Sequence, residues 1–240
     1  MKIKERVEKI GNFFFKWRSF IPLVLVPFLF FVLKNKSLYN ESLFFKWFCF
    51  NVSLIGIIIR CLVAGYVPKG TSGRVSKQEA EKLNTTGLYS ILRHPLYVGN
   101  FFIFLGLLLY TENFWFILVC IFLFIPYYTS IIFAEEKFLK EKFGEIYLKY
   151  YQTTPAIIPK FTHWQKPELP FSFKSLIDRE FQTLFGMIIG FNLTDTLKQI
   201  LVYRKIVNFF WLKFFLITLI FYVLLTILKI KTDLLKVDNR

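Results

Sequence analysis

The sequence predicts an all-α protein: a polytopic transmembrane helical bundle of about five to six spans with a cytoplasmic amphipathic helical segment. Of its 240 residues, 55% are hydrophobic and 32 are phenylalanine, a composition far from that of soluble domains. Several uncharged apolar runs also approach the ~20 residues that an α-helix needs to cross the hydrocarbon core of a bilayer. Both observations indicate an integral membrane protein.

Six apolar segments are candidate spans. They cover residues 17–33, 43–65, 96–110, 113–133, 207–228 and, more weakly, 181–202. Pro22, Pro27 and Pro126 lie inside spans and predict kinks, which membranes tolerate where the freed carbonyl groups find other partners. The sequence Thr111-Glu112-Asn113 predicts a tight turn, so the third and fourth spans are expected to form an antiparallel hairpin.

The weaker segment carries polar residues that are costly in the middle of a bilayer unless they face protein or water. These residues are Asn192, Asp195 and Lys198. Gly186 and Gly190 have the GxxxG spacing that lets helices approach closely. We expect this segment either to cross the membrane or to lie along its surface.

The net charge of +15 is explained by basic residues in the segments between the spans, where they orient the chain and meet anionic headgroups. With the N-terminus in the cytoplasm, 23 of the 31 lysines and arginines fall on the cytoplasmic side. This orientation places residues 66–93 and 134–180 on that side. No pattern resembles a nucleic-acid-binding module, and the basic N-terminal residues 1–20 are typical of a membrane-surface segment that is retained.

The sequence predicts neither a metal site nor a disulfide framework. Cys49, Cys61 and Cys120 all lie in apolar stretches and show no metal-binding spacing. His94 and His163 lie too far apart in the sequence to form a local metal signature.

The stretch RHPLYVGN, residues 93–100, is the most informative part of the chain. It places a cation, an imidazole and a phenol at the cytoplasmic mouth of the third span, in Arg93, His94 and Tyr97. Pro95 suits the first turn of a helix, where its missing N–H costs little. Gly99 permits close approach by a ligand or a helix, and Asn100 needs a polar partner inside the span.

A second polar cluster begins where the fourth span ends. Residues 134–151 form an amphipathic pattern with aromatic residues on one face and lysines elsewhere. Glu135 and Glu136 would be repelled by anionic lipid, so they require a cationic partner. Because the hairpin returns the chain to the membrane face where Arg93 and His94 lie, the two clusters are expected to converge on one site.

RHPLYVGN, the hairpin, EEKFLKEKFGEIYLKYY and the proline-containing exit at 154–159 together resemble the isoprenylcysteine carboxyl methyltransferase and phospholipid methyltransferase superfamily. The resemblance covers residues 85–159. It implies one membrane-embedded domain, 1–240, with its catalytic core at 85–159 and a C-terminal extension at 160–240 that adds one or two further spans. It also implies that S-adenosylmethionine binds between the two motifs. The lack of a GxGxxG-like element agrees with this.

The resemblance assigns roles to individual residues. The cofactor-binding residues would be His94, Tyr97, Gly99, Glu135, Glu136, Tyr147 and Tyr151. The catalytic residues would be Arg93 and Glu136, with Arg93 binding an anionic group of the acceptor. Carboxylates and aromatic rings suit a sulfonium through Coulombic and cation–π attraction.

The loop before the RHP motif combines glycines, hydroxyl groups and cations, as expected either of a phosphate cradle or of an ordinary flexible basic loop. Its elements GTSGR and LNTTGLYS look like those of bacterial superfamily members, most of all the lipid A phosphate methyltransferases. That resemblance implies a membrane lipid partner, the bacterial inner membrane and a site that faces the cytoplasm. The predicted acceptor-binding residues are Lys69, Arg74, Arg93 and Asn100.

Several alternatives stay open. The same fold and cofactor would serve a prenylcysteine carboxylate or the amine of phosphatidylethanolamine. An NADPH-dependent membrane reductase would share a similar hairpin, and a non-enzymatic membrane scaffold would need no cofactor. The sequence leaves open the acceptor atom, the oligomeric state and the role of residues 160–240.

Overall fold

The structure is a computed structural model that describes residues 3–18, 20–34, 42–68, 78, 80–204 and 209–232. The helices in these ranges are Ile3–Trp17 (α1), Leu25–Lys34 (α2), Leu43–Tyr66 (α3), Leu88–Ile91 (α4), Pro95–Tyr110 (α5), Phe114–Thr153 (α6), Phe173–Leu201 (α7) and Phe209–Lys231 (α8). Short 3-10 turns lie at Ile21–Val24 and Phe161–His163. The predicted all-α membrane bundle is confirmed.

Among the described residues, the helices α3, α6 and α8 are long and apolar enough to cross a membrane. Two others, α2 and α5, are apolar but shorter, at 10 and 16 residues. Large side chains on the outer faces of the long helices are exposed, for example Phe44, Phe122 and Ile220. An apolar surface of this kind matches the hydrocarbon of a bilayer.

The predicted first span, 17–33, is wrong as a single helix. Helix α1 ends at Trp17, a 3-10 turn follows, and α2 begins at Leu25. Pro22 lies in the 3-10 turn and Pro27 in the first turn of α2. A proline inside a helix removes one backbone hydrogen bond and clashes with the preceding turn, so two prolines at this spacing divide the segment where a kink was expected.

Helices α3 and α5 pack closely against each other, and glycine permits their approach. A Cβ atom at Gly106 would lie within 3.0 Å of the hydroxyl and amide nitrogen of Ser53 and of the carbonyl oxygen of Cys49. At Gly56 it would meet the backbone of α5 in the same way. The Ser53 hydroxyl donates to the Ile103 carbonyl at 2.8 Å. Small residues let membrane helices pack by van der Waals contact and interhelical hydrogen bonds.

The turn between α5 and α6 has the predicted form. Glu112 has a φ of 55°, in the left-handed region, and the side chain of Asn113 accepts a hydrogen bond from the Phe116 amide at 2.9 Å. An asparagine at this position caps the first turn of the next helix. The third and fourth apolar segments therefore form the expected hairpin.

Helix α7, which contains the doubtful segment 181–202, packs mainly against α3 and α8. Near its start, Glu180 pairs with Arg60, and near its end the Lys198 ammonium lies 3.0 Å from the Glu112 carboxylate. Asp195 and Lys198 are each 1% exposed. Asp195 and Lys198, two of the three polar residues that would be costly in lipid, thus face protein.

The amphipathic segment after the fourth span is not a separate helix. Helix α6 continues without a break from Phe114 to Phe143, and the chain turns only at Gly144, whose φ is 53° and ψ −126°. Glycine adopts this conformation without steric cost. Beyond the turn, Tyr147 and Tyr150 are buried, and the Tyr150 hydroxyl donates to the Tyr89 carbonyl at 2.7 Å.

The glycine contact between α3 and α5 predicts the effect of adding one methyl group. Gly106→Ala should lower the free energy of unfolding by about 1–3 kcal/mol, because the methyl group meets backbone atoms that cannot move aside. Gly186→Ala is the matched control, since no atom lies within 4 Å of the added carbon. Thermal unfolding in detergent measures both. Equal melting temperatures for the two variants would contradict this account.

Candidate active site

The RHP motif forms a fixed turn between α4 and α5. The Arg93 amide donates to the Pro155 carbonyl at 2.8 Å, and the His94 amide donates to the Ala156 carbonyl at 3.0 Å. Pro95 is the first residue of α5, as predicted. The proline-containing exit from α6 is therefore bound directly to the backbone of the motif.

The side chain of Arg93 is held entirely by this framework. Its guanidinium group lies 2.8 Å from the Glu136 carboxylate, donates to the carbonyl groups of Tyr151 and Thr154, and stacks on the Tyr151 ring at 4.1 Å. Only 9% of the side chain is exposed. An arginine with these contacts joins the motif to α6. The acceptor-binding role predicted for it stays a prediction.

His94 lies between the two glutamates. Its Nε2 atom is 3.0 Å from the Glu136 carboxylate and its Nδ1 atom is 3.6 Å from that of Glu135. Burial alone would lower the pKa of His94, but the two carboxylates outweigh it, so the pKa is raised from its ordinary value of 6.5. This favours the imidazolium form at neutral pH. The Tyr97 hydroxyl donates to the same Glu135 oxygen, Oε2, at 2.8 Å.

A cavity of about 600 Å³ opens beside this cluster, a size typical of sites for cofactors and small molecules. Its polar end is lined by Arg18, Asn84, His94, Tyr97 and Glu135. Its apolar end continues between the helices, along Phe104, Leu107, Leu123, Phe124 and Met187. One space thus connects a charged region to the apolar interior of the bundle.

A chain of hydrogen bonds reaches the cavity wall from α7. Arg60 binds both carboxylate oxygens of Glu180, at 2.8 and 2.9 Å, and donates to the Asn100 side-chain oxygen at 2.7 Å. The Asn100 amide nitrogen donates to the Tyr128 hydroxyl at 3.1 Å. Glu180 is 2% exposed. Asn100 has the partner that its position in a span requires.

The structure separates the predicted site residues into two groups. His94, Tyr97, Asn100 and Glu135 line the cavity. The others lie behind it or elsewhere: Arg93 and Glu136 form the framework, Tyr147 is buried at 2% exposure, and Tyr151 covers Arg93. Gly99 faces α3, where a Cβ would meet the Arg60 side chain and the Gly56 carbonyl. Lys69 and Arg74 lie outside the described residues.

Four residues at the cavity or beside it were missed by the sequence analysis: Arg18, Arg60, Tyr128 and Glu180. An arginine inside an apolar span requires a buried partner, so Arg60 was a usable signal. It did not identify its partner, because Glu180 lies 120 residues further along the chain. Arg18 was counted among the cytoplasmic cations, and nothing in the local sequence distinguishes it from them.

The raised pKa of His94 predicts a pH-dependent contribution to stability. The extra stability of the protonated histidine is fully present below its ordinary pKa of 6.5 and is lost as the pH rises through the higher folded-state pKa. The difference in melting temperature between the wild-type protein and His94→Gln should therefore shrink as the pH is raised from 6.5. A difference that is constant or grows with pH would contradict the assignment.

Comparison with known proteins matches part of the chain to one family. Residues 48–146 match the phospholipid methyltransferase family, which confirms the superfamily resemblance. The matched segment begins in α3 and ends just after the turn at Gly144. No solved structure matches the chain.

Two metal-resistance proteins are similar in sequence. The nickel-cobalt-cadmium resistance protein NccN of Alcaligenes xylosoxydans xylosoxydans is 28% identical over 146 residues, which cover 61% of this chain and 64% of that protein. The cobalt-zinc-cadmium resistance protein CzcN of Cupriavidus metallidurans is 36% identical over 88 residues, covering 37% and 40%. The chain thus spans less than two thirds of the length of either relative.

Proposed function

We propose that this protein, whose residues 48–146 match the phospholipid methyltransferase family, transfers a methyl group from S-adenosylmethionine to a membrane lipid. The observation that carries the proposal is the cavity that joins the His94–Tyr97–Glu135 cluster to the apolar interior of the bundle. A polar cofactor and a lipid acceptor can meet in such a space without the lipid chains leaving an apolar environment.

The residues at the polar end fit the charges of S-adenosylmethionine. The cofactor's amino-acid end carries an ammonium and a carboxylate, and the cavity presents the Glu135 carboxylate beside the His94 imidazole. Tyr97 and Tyr128 present aromatic rings at the same wall, with centroids 5.2 Å apart. Rings of this kind attract a sulfonium. When bound, the cofactor would supply an electrophilic methyl group.

The protein's own contribution is to align the acceptor and exclude water. Methyl transfer from a sulfonium is an in-line displacement: an acceptor lone pair forms the bond to carbon, and the carbon–sulfur electron pair stays on sulfur. Holding the reacting groups in line in a dry site supplies most of the acceleration that such a reaction requires. In this structure the Arg93–Glu136 pair stabilises the turn that carries His94 and Tyr97.

For the acceptor, we propose a lipid phosphate of the lipid A type. Arg18, which lines the cavity, replaces Arg93 as the cation near the acceptor. An anionic oxygen needs only a cation to position it, whereas an amine must first lose a proton. Phosphatidylethanolamine N-methylation and prenylcysteine carboxyl methylation are the competing reactions. We place the site at the cytoplasmic face of a bacterial inner membrane, following the distribution of basic residues.

The names of the two relatives are compatible with this reaction. Methylation of a phosphate oxygen removes one negative charge from the lipid. A less negative surface attracts divalent cations less strongly. Lipid methylation would in this way reduce the accumulation of nickel, cobalt or cadmium ions at a membrane without any metal binding by the enzyme.

Cofactor binding tests the first half of the proposal. Glu135→Gln should weaken binding of S-adenosylmethionine about tenfold or more, because it removes a charge-assisted contact to the ammonium group. Glu141→Gln is the matched control, since this glutamate lies on the same helix with 66% of its side chain exposed. Calorimetric titration of the purified protein measures both. Wild-type protein that binds NADPH and not S-adenosylmethionine would identify a reductase instead.

Transfer of radiolabelled methyl groups tests the second half. Membranes that contain the protein should incorporate label from S-adenosylmethionine into a lipid, and we expect the labelled species to be a phosphate methyl ester. Label in phosphatidylethanolamine derivatives or in prenylcysteine esters would keep the fold and cofactor but refute the phosphate acceptor. Cofactor binding without any labelled lipid would refute the proposed reaction.

A further inference from the structure

Tyr128 lines the cavity, and its hydroxyl group has a fixed hydrogen-bond polarity. An arginine side chain has only donors, so the Asn100 atom that faces Arg60 at 2.7 Å must be the amide oxygen. The other end of the amide is then the NH₂ group, which donates to the Tyr128 oxygen at 3.1 Å. The Tyr128 hydroxyl is therefore an acceptor on this side and keeps its own proton for another partner.

The proton of the Tyr128 hydroxyl needs a hydrogen-bond acceptor other than Asn100. Among the described residues, the bond from Asn100 is the only hydrogen bond recorded for the Tyr128 hydroxyl, and Tyr128 lines the cavity. Its ring is surrounded by Phe124, Tyr127 and Tyr97, with centroids 4.2, 4.8 and 5.2 Å away. In such apolar surroundings a hydroxyl donor is costly to leave unpaired.

The group that sets this polarity lies outside the segment that matches the family. Glu180, on α7, neutralises Arg60 through two hydrogen bonds and holds its guanidinium group against Asn100. A paired carboxylate of this kind fixes the plane of the arginine as well as its charge. The C-terminal extension thereby determines the orientation of an amide group on α5 and, through it, of a phenol on α6.

We infer that Glu180, Arg60 and Asn100 are positioning residues that hold the Tyr128 hydroxyl as a hydrogen-bond donor to an oxygen atom of the acceptor lipid. This inference rests on the proposed function, and it adds a recognition element that an ammonium group, as the methyl-accepting atom, cannot use. An acceptor oxygen with a free lone pair, as in a phosphate or a carboxylate, satisfies the Tyr128 proton. A protonated amine does not, since it has no lone pair to offer.

Two conservative substitutions test the inference. Tyr128→Phe removes the proton and keeps the ring. Asn100→Asp keeps the bond to Arg60 but replaces the NH₂ group with a second acceptor, so the Tyr128 hydroxyl turns to donate to the introduced carboxylate and loses its polarity toward the cavity. Each should raise the apparent KM for the acceptor about tenfold or more, the effect of losing one hydrogen bond to a charged group.

The measurement uses three acceptor probes with the purified protein: vesicles that contain lipid A, vesicles that contain phosphatidylethanolamine, and a farnesylated cysteine. The first and third separate a phosphate from a carboxylate, and the second supplies an amine. The dissociation constant of S-adenosylmethionine should stay unchanged in both variants. Tyr222→Phe, on α8 and away from the cavity lining, is the matched control and should behave as wild type.

The double variant Asn100→Asp/Tyr128→Phe shows whether Asn100→Asp acts by turning the Tyr128 hydroxyl or by repelling the acceptor through its negative charge. If Asn100→Asp acts through Tyr128, then adding it to Tyr128→Phe raises KM no further; if its charge repels the acceptor, the two effects multiply. Multiplied effects, an unchanged KM in either single variant, or an altered cofactor affinity would each overturn the inference while leaving the methyltransferase proposal intact. Wild-type protein that methylates none of the three probes would overturn both.

Discussion

Charged groups inside a bundle of apolar helices must be compensated by opposite charges from another part of the chain, and three groups of such charges join the described part of this structure. Arg93 and His94 pair with Glu136 and Glu135 at the start of α5. Arg60 on α3 pairs with Glu180 on α7. Lys198 on α7 pairs with Glu112 in the turn between α5 and α6. Removing one partner would leave a buried charge uncompensated, at a cost of about 3–5 kcal/mol. Each pair therefore fixes which helices are neighbours.

This constraint explains which features the sequence predicted correctly. Segments with local signals were placed well: Pro95 begins α5, and Asn113 caps the helix after the turn. The convergence of the two polar clusters also followed, because two glutamates at a membrane face required cations and a hairpin returned the chain to them. In these cases the residue that needs a partner and the residue that supplies it could both be identified in the sequence.

Features that depend on distant partners could not be predicted in the same way. Arg93 has the residue type of an anion-binding group, but its donors are used by Glu136 and by two backbone carbonyl groups. A sequence does not show which backbone carbonyl groups will bind Arg93, because every residue has one. Likewise, Arg60 indicated a buried partner without naming Glu180, and Gly99 indicated a close approach without showing that the approaching group is α3.

The adjacent glutamates show how a short motif can serve two purposes. Consecutive residues on an α-helix point about 100° apart, so the side chains of Glu135 and Glu136 leave the helix in different directions. Glu136 faces Arg93 and compensates the framework, whereas Glu135 faces the cavity and is bonded by Tyr97. His94 contacts both carboxylates and so couples the two faces. Replacing either glutamate would change the charge and position of the His94 imidazole and so alter its contact with the other glutamate. A substitution at Glu135 or Glu136 is therefore expected to change protein stability as well as cofactor binding.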